Sequence, residues 1–212
     1  MTGAFRQIWV IQPTTPPGPL RHCATCGTTR PFHPSGKVRL NANGRKLDAW
    51  LIYKCTTCDR TWNCPVYERV TLSDLASQEL DAMHLSAPAW VWRHANDLSV
   101  LRRHCDRIET SAEVTVQRSV ADGPSRDWSI LHLDLRVPCP TGCRLDRLLA
   151  REVALSRAGL RAMVRTGGLR TPKGAKGLRH ALTGDTWVAF VARDLHRAHR
   201  DHLTRVLCPG PA

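Results

Sequence analysis

Apolar and polar positions along the chain predict five β-strands. The first stretch is apolar and β-prone, and the last two alternate apolar and polar positions, which is the pattern of a half-buried strand. The second and third stretches are joined by Ala42-Asn43-Gly44-Arg45, and Asn-Gly is typical of a tight hairpin turn. A further turn is predicted at residues 121–124, between the fourth stretch and the fifth. The predicted strands cover residues 5–11, 37–41, 46–54, 113–120 and 130–137.

Elsewhere apolar positions recur every three or four residues, which predicts amphipathic helices. One helix is expected to start near Ser73 and to continue to Met83, and a second to cover residues 90–101. A third, rich in arginine and histidine, closes the chain over residues 193–207. Together with the strands, these helices predict an α+β fold.

The stretch from Arg144 to Val188 predicts two short helices followed by short strands at 169–171 and 186–191. Ser156 is a natural N-cap for the second helix. Gly167-Gly168 ends that helix, because glycine readily adopts the left-handed conformation of a helix C-terminus. The apolar face of the first helix is formed by Leu145, Leu148 and Leu149.

A series of motifs in the same stretch keeps the order and spacing of a known module. They are Arg144-Leu145-Asp146, Leu149-Ala150-Arg151, Leu155-Ser156-Arg157, Leu160, Val164, Gly167 and Leu182-x-Gly184-Asp185. With these motifs the stretch resembles the S4 RNA-binding domain, found in a ribosomal protein, pseudouridine synthases and a tyrosyl-tRNA synthetase. One departure is that Pro172-Lys173-Gly174 lies where S4 domains have an Asn-Gly turn. Since proline removes a backbone donor, the RNA-facing loop is expected to differ in shape.

The resemblance implies an S4-like (αL) RNA-binding module over residues 139–212, ending in the basic helix. Arginine forks match phosphate geometry, so the cations of this module are expected to contact the backbone of a structured RNA. Ribosomal RNA or tRNA is the implied partner, with an association with the ribosome. The predicted RNA-binding residues are Arg144, Arg147, Arg151, Ser156, Arg157, Arg161, Arg165, Lys173, Lys176 and Arg179.

Two Cys-x2-Cys pairs flank the predicted hairpin in the N-terminal part. Cys23 and Cys26 form the first pair, and Cys55 and Cys58 form the second. Four thiolates in this arrangement predict a tetrahedral Zn²⁺ site, and an all-cysteine set leaves no open position for catalysis. We therefore expect residues 1–66 to form a zinc ribbon with an N-terminal strand, in which the metal is structural.

Several other residues leave alternatives open. Cys139 and Cys143 are expected to be structural or exposed thiols, although a second metal half-site or a redox pair is a further interpretation. Trp50 and Trp62 lie among basic residues of the ribbon and can either belong to its core or stack on unpaired bases.

Charge is unevenly distributed along the chain, whose formal net charge is +13. Residues 1–65 hold nine Lys/Arg against two Asp/Glu, and residues 138–212 hold fourteen against five. The segment between them holds eight against eleven. Two basic ends therefore flank a mildly acidic α+β spacer domain, predicted at 67–138, and a polyanionic partner is indicated.

These observations predict a cytoplasmic RNA-binding protein without an enzymatic activity of its own. Nine cysteines without a signal peptide favour a reducing compartment, and neither a membrane span nor a catalytic motif is present. The alternatives are a DNA-binding transcriptional regulator, an RNA-modifying enzyme and a ribbon-based protein adaptor. Most of the chain also resembles a bacterial family of uncharacterised proteins, which implies no reaction.

Overall fold

The computed structural model describes residues 3–122 and 127–208 of the chain. The chain divides into two compact units. The first consists of Met1–Thr14 together with Ala112–Ala212, and the second consists of Thr15–Ser111. We call the first the outer unit and the second the inserted unit. No helix among the described residues is long and apolar enough to cross a membrane.

Strands and helices of both units are numbered in chain order over the described residues. The strands are β1 (Gly3–Pro13), β2 (Gly18–Cys23), β3 (Thr28–Asn43), β4 (Lys46–Cys55), β5 (Thr61–Thr71), β6 (Arg107–Glu109), β7 (Val114–Asp122), β8 (Trp128–Arg136), β9 (Leu169–Arg170) and β10 (Thr186–Val191). The helices are α1 (Ser77–His84), α2 (Pro88–Ala95), α3 (Leu98–Arg102), α4 (Leu145–Glu152), α5 (Arg157–Thr166), α6 (Gly174–Gly177) and α7 (Arg197–Leu207). Two short 3-10 helices, Leu72–Asp74 and Ala192–Asp194, complete the set.

The outer unit is built on a five-stranded sheet in the order β7-β1-β8-β10-β9. Strand β1 lies between β7, to which it is antiparallel, and β8, to which it is parallel. The inward positions of these strands, among them Phe5, Trp9, Leu133 and Phe190, are buried in one apolar core. Residues of α4, α5 and α7 belong to the same core, so these helices lie on one face of the sheet.

The two units correct the three segments predicted from the sequence. Strand β1 was expected to belong to the zinc ribbon, but its partners are β7 and β8 of the outer unit. The expected spacer at 67–138 is likewise divided, because residues up to Ser111 belong to the inserted unit and those from Ala112 to the outer unit. The physical reason is that backbone pairing between strands distant in sequence, not composition, decides which segments share a core. The α+β class is confirmed.

The inserted unit contains a second five-stranded sheet, in the order β5-β4-β3-β2-β6. The predicted hairpin is present: Asn43 pairs with Lys46 across a two-residue turn. Gly44 in that turn has φ +60°, a conformation that glycine adopts at little cost. Helices α1 to α3 contribute Met83, Trp90 and Leu101 to the core of this unit.

Several predicted elements differ in their bounds. The helix expected from Ser73 starts as a 3-10 turn, and α1 proper begins at Ser77. The helix expected over 90–101 is broken into α2 and α3 because Asp97 caps α3, accepting hydrogen bonds from the N–H groups of Ser99 and Val100. The closing helix begins at Arg197. Part of the turn predicted at 121–124 lies outside the described residues.

Glu79 on α1 accepts hydrogen bonds from three side chains of the inserted unit. The Tyr67 hydroxyl donates at 3.0 Å, the Trp90 indole at 2.5 Å and the Arg93 guanidinium at 2.7 Å. Partial burial raises the pKa of Glu79, but these donors outweigh burial and lower the pKa to about 2.

Replacement of Glu79 by Gln should remove a pH-dependent part of the stability of the inserted unit. The pKa of Glu79 is lowered from 4.5 to about 2. The stabilisation is therefore complete at a pH above 4.5 and is lost as the pH falls from 4.5 towards 2. Urea denaturation should therefore show a steeper acid decline for the wild type than for Glu79→Gln. Glu109→Gln, at an exposed carboxylate without an ion pair among the described residues, should behave like the wild type. Equal acid slopes for wild type and Glu79→Gln would contradict the prediction.

Candidate functional site

The four predicted metal ligands come together in the inserted unit. The Sγ atoms of Cys23, Cys26, Cys55 and Cys58 all lie within 4.8 Å of one another. Cys23 Sγ is 3.4 Å from Cys58 Sγ, and Cys26 Sγ is 3.9 Å from Cys55 Sγ. These separations exceed a disulfide bond by well over 1 Å, so the four thiols form an open cluster that can hold a metal ion.

The two Cys-x2-Cys pairs adopt the same backbone turn. The Gly27 N–H donates to the Cys23 carbonyl at 2.9 Å, and the Asp59 N–H donates to the Cys55 carbonyl at 3.1 Å. Gly27 and Asp59 have φ angles of +66° and +58°, so each turn closes through a left-handed residue. The turns follow β2 and β4, whose pairing with β3 brings them together.

The thiols of this cluster are electrostatically unequal. Burial raises the pKa of Cys55, but the N–H groups of Thr57 and Cys58 donate to its sulfur, and the pKa is lowered to about 7. The pKa of Cys26 is raised to about 12, mainly through its hydrogen bond with Cys58. Metal ions take thiolates, so a bound ion would replace these shared protons with four metal–sulfur bonds.

The remaining cysteines stand apart from the cluster. Within residues 3–122 and 127–208, the four cysteines above are the one group of three or more potential ligands brought together. Cys143 packs in the core of the outer unit, and burial raises the pKa of its thiol and of Cys139. These observations favour the interpretation of Cys139 and Cys143 as structural thiols.

In the outer unit, α4 and α5 are tied together by a buried carboxylate. Asp146 on α4 is 0% exposed. Its Oδ2 accepts a hydrogen bond from the Arg144 guanidinium at 2.9 Å and another from Arg157 at 2.8 Å. Arg144 and Arg157 were predicted to contact RNA; both are paired with Asp146, and Arg157 joins α5 to α4 through it.

Arg151 is also held within the protein. Its guanidinium donates hydrogen bonds to the Glu152 carboxylate at 2.7 Å and to the backbone carbonyl of Val114 at 3.0 Å. The Glu152 carboxylate also accepts a hydrogen bond from the Arg118 guanidinium of β7 at 2.5 Å. Arg151 therefore joins α4 to the edge strand of the sheet.

The other predicted cations are exposed and form what we call the basic surface. They lie on α4, α5 and α6 and in the turns beside α6, and α5 contacts both α4 and α6. None of them has an ion pair among the described residues. The basic surface consists of Arg147, Arg161, Arg165, Lys173, Lys176 and Arg179.

Ser156, also predicted to bind RNA, is the N-cap of α5 as its sequence position indicates. Its hydroxyl accepts a hydrogen bond from the Gly159 N–H at 3.0 Å. At the other end of the helix, Gly167 has φ +82° and closes the C-terminus. Both caps fix the length of α5 and so the position of its arginines.

The Ser156→Ala variant should lose about 1 kcal/mol of the free energy of unfolding of the outer unit, because the Gly159 N–H would lose its acceptor. Ser156→Asp should retain most of that stability, since aspartate is an equally good cap. Urea denaturation of the three proteins tests this. If Ser156→Ala were as stable as the wild type, the hydroxyl would have no capping role.

One aromatic residue of the outer unit, Trp187, was not predicted from the sequence as part of a site. Trp187 on β10 is 37% exposed, and its ring stacks on that of His132 on β8, with 5.5 Å between centroids and an interplanar angle of 21°. The sequence carried little signal for it, because β10 shows no alternation: residues 188–191 are all buried.

The chain matches a family of proteins whose function is not known. A family model described as a protein of unknown function (DUF1062) matches residues 40–174. No curated protein matches the chain, and no solved structure matches it. The resemblance to an uncharacterised family is therefore confirmed, whereas the S4 resemblance stays a prediction. Because the match spans well over half of the chain, the chain belongs to the DUF1062 family of proteins of unknown function.

Proposed function

We propose that this protein binds structured RNA through the basic surface of the outer unit, and that Zn²⁺ at the four cysteines stabilises the inserted unit. Ribosomal RNA or tRNA in a ribosome-associated, cytoplasmic role is the favoured setting. The protein is proposed to act by binding, without a reaction of its own.

The observation that carries the proposal is the separation of the cations into two sets. Arg144, Arg151 and Arg157 are occupied by intramolecular partners. The six cations of the basic surface have no ion pair among the described residues. Unpaired, adjacent cations repel one another, and a polyanion relieves that repulsion while releasing its counterions.

The motifs of the S4 resemblance support the same proposal. Asp146 and Arg157, taken from two of its motifs, form the buried contact between α4 and α5. Ser156 and Gly167, from two others, cap α5. Residues that match the module thus have structural roles in positioning the arginines of α5.

Zinc is favoured at the cluster by the donor set. Four thiolates select Zn²⁺ over hard cations such as Mg²⁺ and Ca²⁺. With Zn–S bonds of about 2.3 Å, a tetrahedral site requires sulfurs about 3.8 Å apart. The separations of 3.4 and 3.9 Å bracket that value. The metal would join the turns after β2 and β4 and would supply structure, not catalysis.

The test is a binding titration of a folded RNA, followed by fluorescence anisotropy at several salt concentrations. We compare the wild type with Arg161→Ala/Arg165→Ala. If these arginines contact phosphates, the double variant should bind roughly tenfold more weakly. The slope of log affinity against log salt should also become shallower by about two.

The matched control is Arg102→Ala/Arg103→Ala, which removes two exposed arginines from the inserted unit. Its salt slope should equal that of the wild type. Equal losses in both variants would indicate an effect of net charge alone and would contradict the proposed surface. Tighter binding of duplex DNA at the same salt would favour a DNA-binding regulator, and an absence of RNA affinity would favour an adaptor.

A further inference from the structure

A cavity of about 450 Å³ opens in the outer unit, beside the basic surface. Its lining comes from the start of β10, the loop before it and the segment from Thr171 to Gly177. The volume falls within the range of sites that hold small organic groups. The segment at Pro172-Lys173-Gly174 was expected from the sequence to face RNA, but the cavity beside it was not predicted.

The wall of the cavity includes Trp187, whose ring can stack on a flat partner. The imidazole of His132 stacks on the indole, and Trp187 is 37% exposed. The indole N–H has no hydrogen-bond partner among the described residues. A buried tryptophan usually finds a hydrogen-bond partner for its indole N–H, whereas a partly exposed tryptophan with a free N–H is typical of a binding surface.

Several polar groups of the cavity have no partner within the described ranges of the protein. Lys173 and His180 line it, and neither has an ion pair among the described residues. The acidic group in the lining, Asp185, is neutralised by Arg136 at 2.8 Å. The hydroxyls of Thr183 and Thr186 have no hydrogen bond within the described part of the chain.

The cavity is continuous with the basic surface through Lys173, which belongs to both. A polyanion bound at the basic surface would therefore meet the cavity at Lys173. RNA duplexes hide their base edges in a deep and narrow major groove, whereas unpaired bases can swing out and stack on aromatic rings. The ring of Trp187 can stack on one such base, the hydroxyls of Thr183 and Thr186 can form hydrogen bonds with it, and Lys173 can bind its phosphate.

We propose that this cavity receives one unpaired nucleotide of the bound RNA, with its base on Trp187 and its phosphate at Lys173. This inference rests on the proposed RNA binding and specifies the RNA feature that the protein selects. The duplex beside the unpaired nucleotide lies along the basic surface, and the extruded base distinguishes a target from a plain duplex.

Three blunt-ended RNA duplexes test this inference by fluorescence anisotropy. The first is fully paired, the second has one unpaired nucleotide of randomised base in one strand, and the third has an abasic residue at that position. Stacking on an aromatic side chain predicts that the second duplex binds roughly tenfold tighter than the first. The third should bind like the first, since it lacks the base.

The protein variants are Trp187→Ala, Trp187→Phe and the control Ile130→Ala. Ile130 is 38% exposed and does not line this cavity. Trp187→Ala should lose the preference for the unpaired nucleotide while keeping its affinity for the plain duplex, and Trp187→Phe should keep most of the preference. Ile130→Ala should resemble the wild type. With 2-aminopurine as the unpaired base, fluorescence quenching on binding should occur in the wild type and be absent in Trp187→Ala.

Equal affinity of the wild type for all three duplexes would overturn the cavity's role and leave RNA binding intact. A preference retained in Trp187→Ala, or shared by the abasic duplex, would also overturn it. If none of the three duplexes bound, both this inference and the proposed function would fall.

Discussion

Native mass spectrometry of the purified protein should find one Zn²⁺ ion per chain, and Cys58→Ser should lose it. Removing one of the four ligands leaves three thiolates that cannot complete a tetrahedral structural site. Structural zinc contributes about 10–16 kcal/mol of apparent binding energy in small zinc-finger peptides. The inserted unit also has an apolar core, so we expect a smaller loss, of several kcal/mol, measured as a lower melting temperature.

Cys105→Ser is the matched control for this experiment. Cys105 is a half-buried cysteine of the same unit, outside the cluster, whose thiol donates to the Leu101 carbonyl at 3.1 Å. Serine can keep that hydrogen bond, so metal content and melting temperature should remain near those of the wild type. A wild-type protein that melts at the same temperature with and without a strong chelator would contradict a structural metal.

The second large effect is expected from Arg157→Met, which should lower the free energy of unfolding of the outer unit by about 3 kcal/mol. The substitution keeps the aliphatic part of the side chain but leaves the buried Asp146 carboxylate with Arg144 as its single charged partner. A buried charge deprived of a partner is costly, although the half-exposed position of Arg157 reduces the effect. Urea denaturation gives the difference.

Arg161→Met, one helical turn further along α5, is the control for Arg157→Met. Arg161 is exposed and has no ion pair among the described residues, so its substitution should change stability by less than about 0.5 kcal/mol. In RNA binding we expect the reverse order, since the proposed function assigns a phosphate contact to Arg161 and not to Arg157. Equal stability losses in both variants would contradict the role assigned to Asp146.

The metal cluster was predictable because its determinants are local. Each Cys-x2-Cys pair fixes its own turn, and the Asn-Gly hairpin brings the turns together, so spacing along the chain is enough. The caps of α5 are local in the same sense: Ser156 and Gly167 act within the helix that they bound.

The division into units was not predictable from the same signals. Strand β1 is an apolar, β-prone segment that could pair in any sheet, and nothing within it specifies β8 as its parallel neighbour. That choice depends on a core shared with helices from the other end of the chain. Composition and charge, which suggested three segments, describe the surface more than the core.

The roles of individual arginines also required the structure. At spacing four, Arg157, Arg161 and Arg165 are equivalent in the sequence. Arg157 differs because Asp146 on the neighbouring helix lies within reach of it. The cavity beside Trp187 depends on strand pairing and on the conformation of the loop before β10. No short sequence motif therefore predicts it.

The most direct test of RNA binding is ultraviolet crosslinking of the protein to RNA in its own cells, with the crosslinked fragments sequenced. Wild type, Arg161→Ala/Arg165→Ala and Arg102→Ala/Arg103→Ala should be compared at equal abundance. We expect sharp peaks in ribosomal RNA or tRNA for the wild type and the control, and their loss in the basic-surface variant. Background signal that is the same in all three proteins would contradict RNA binding by this surface.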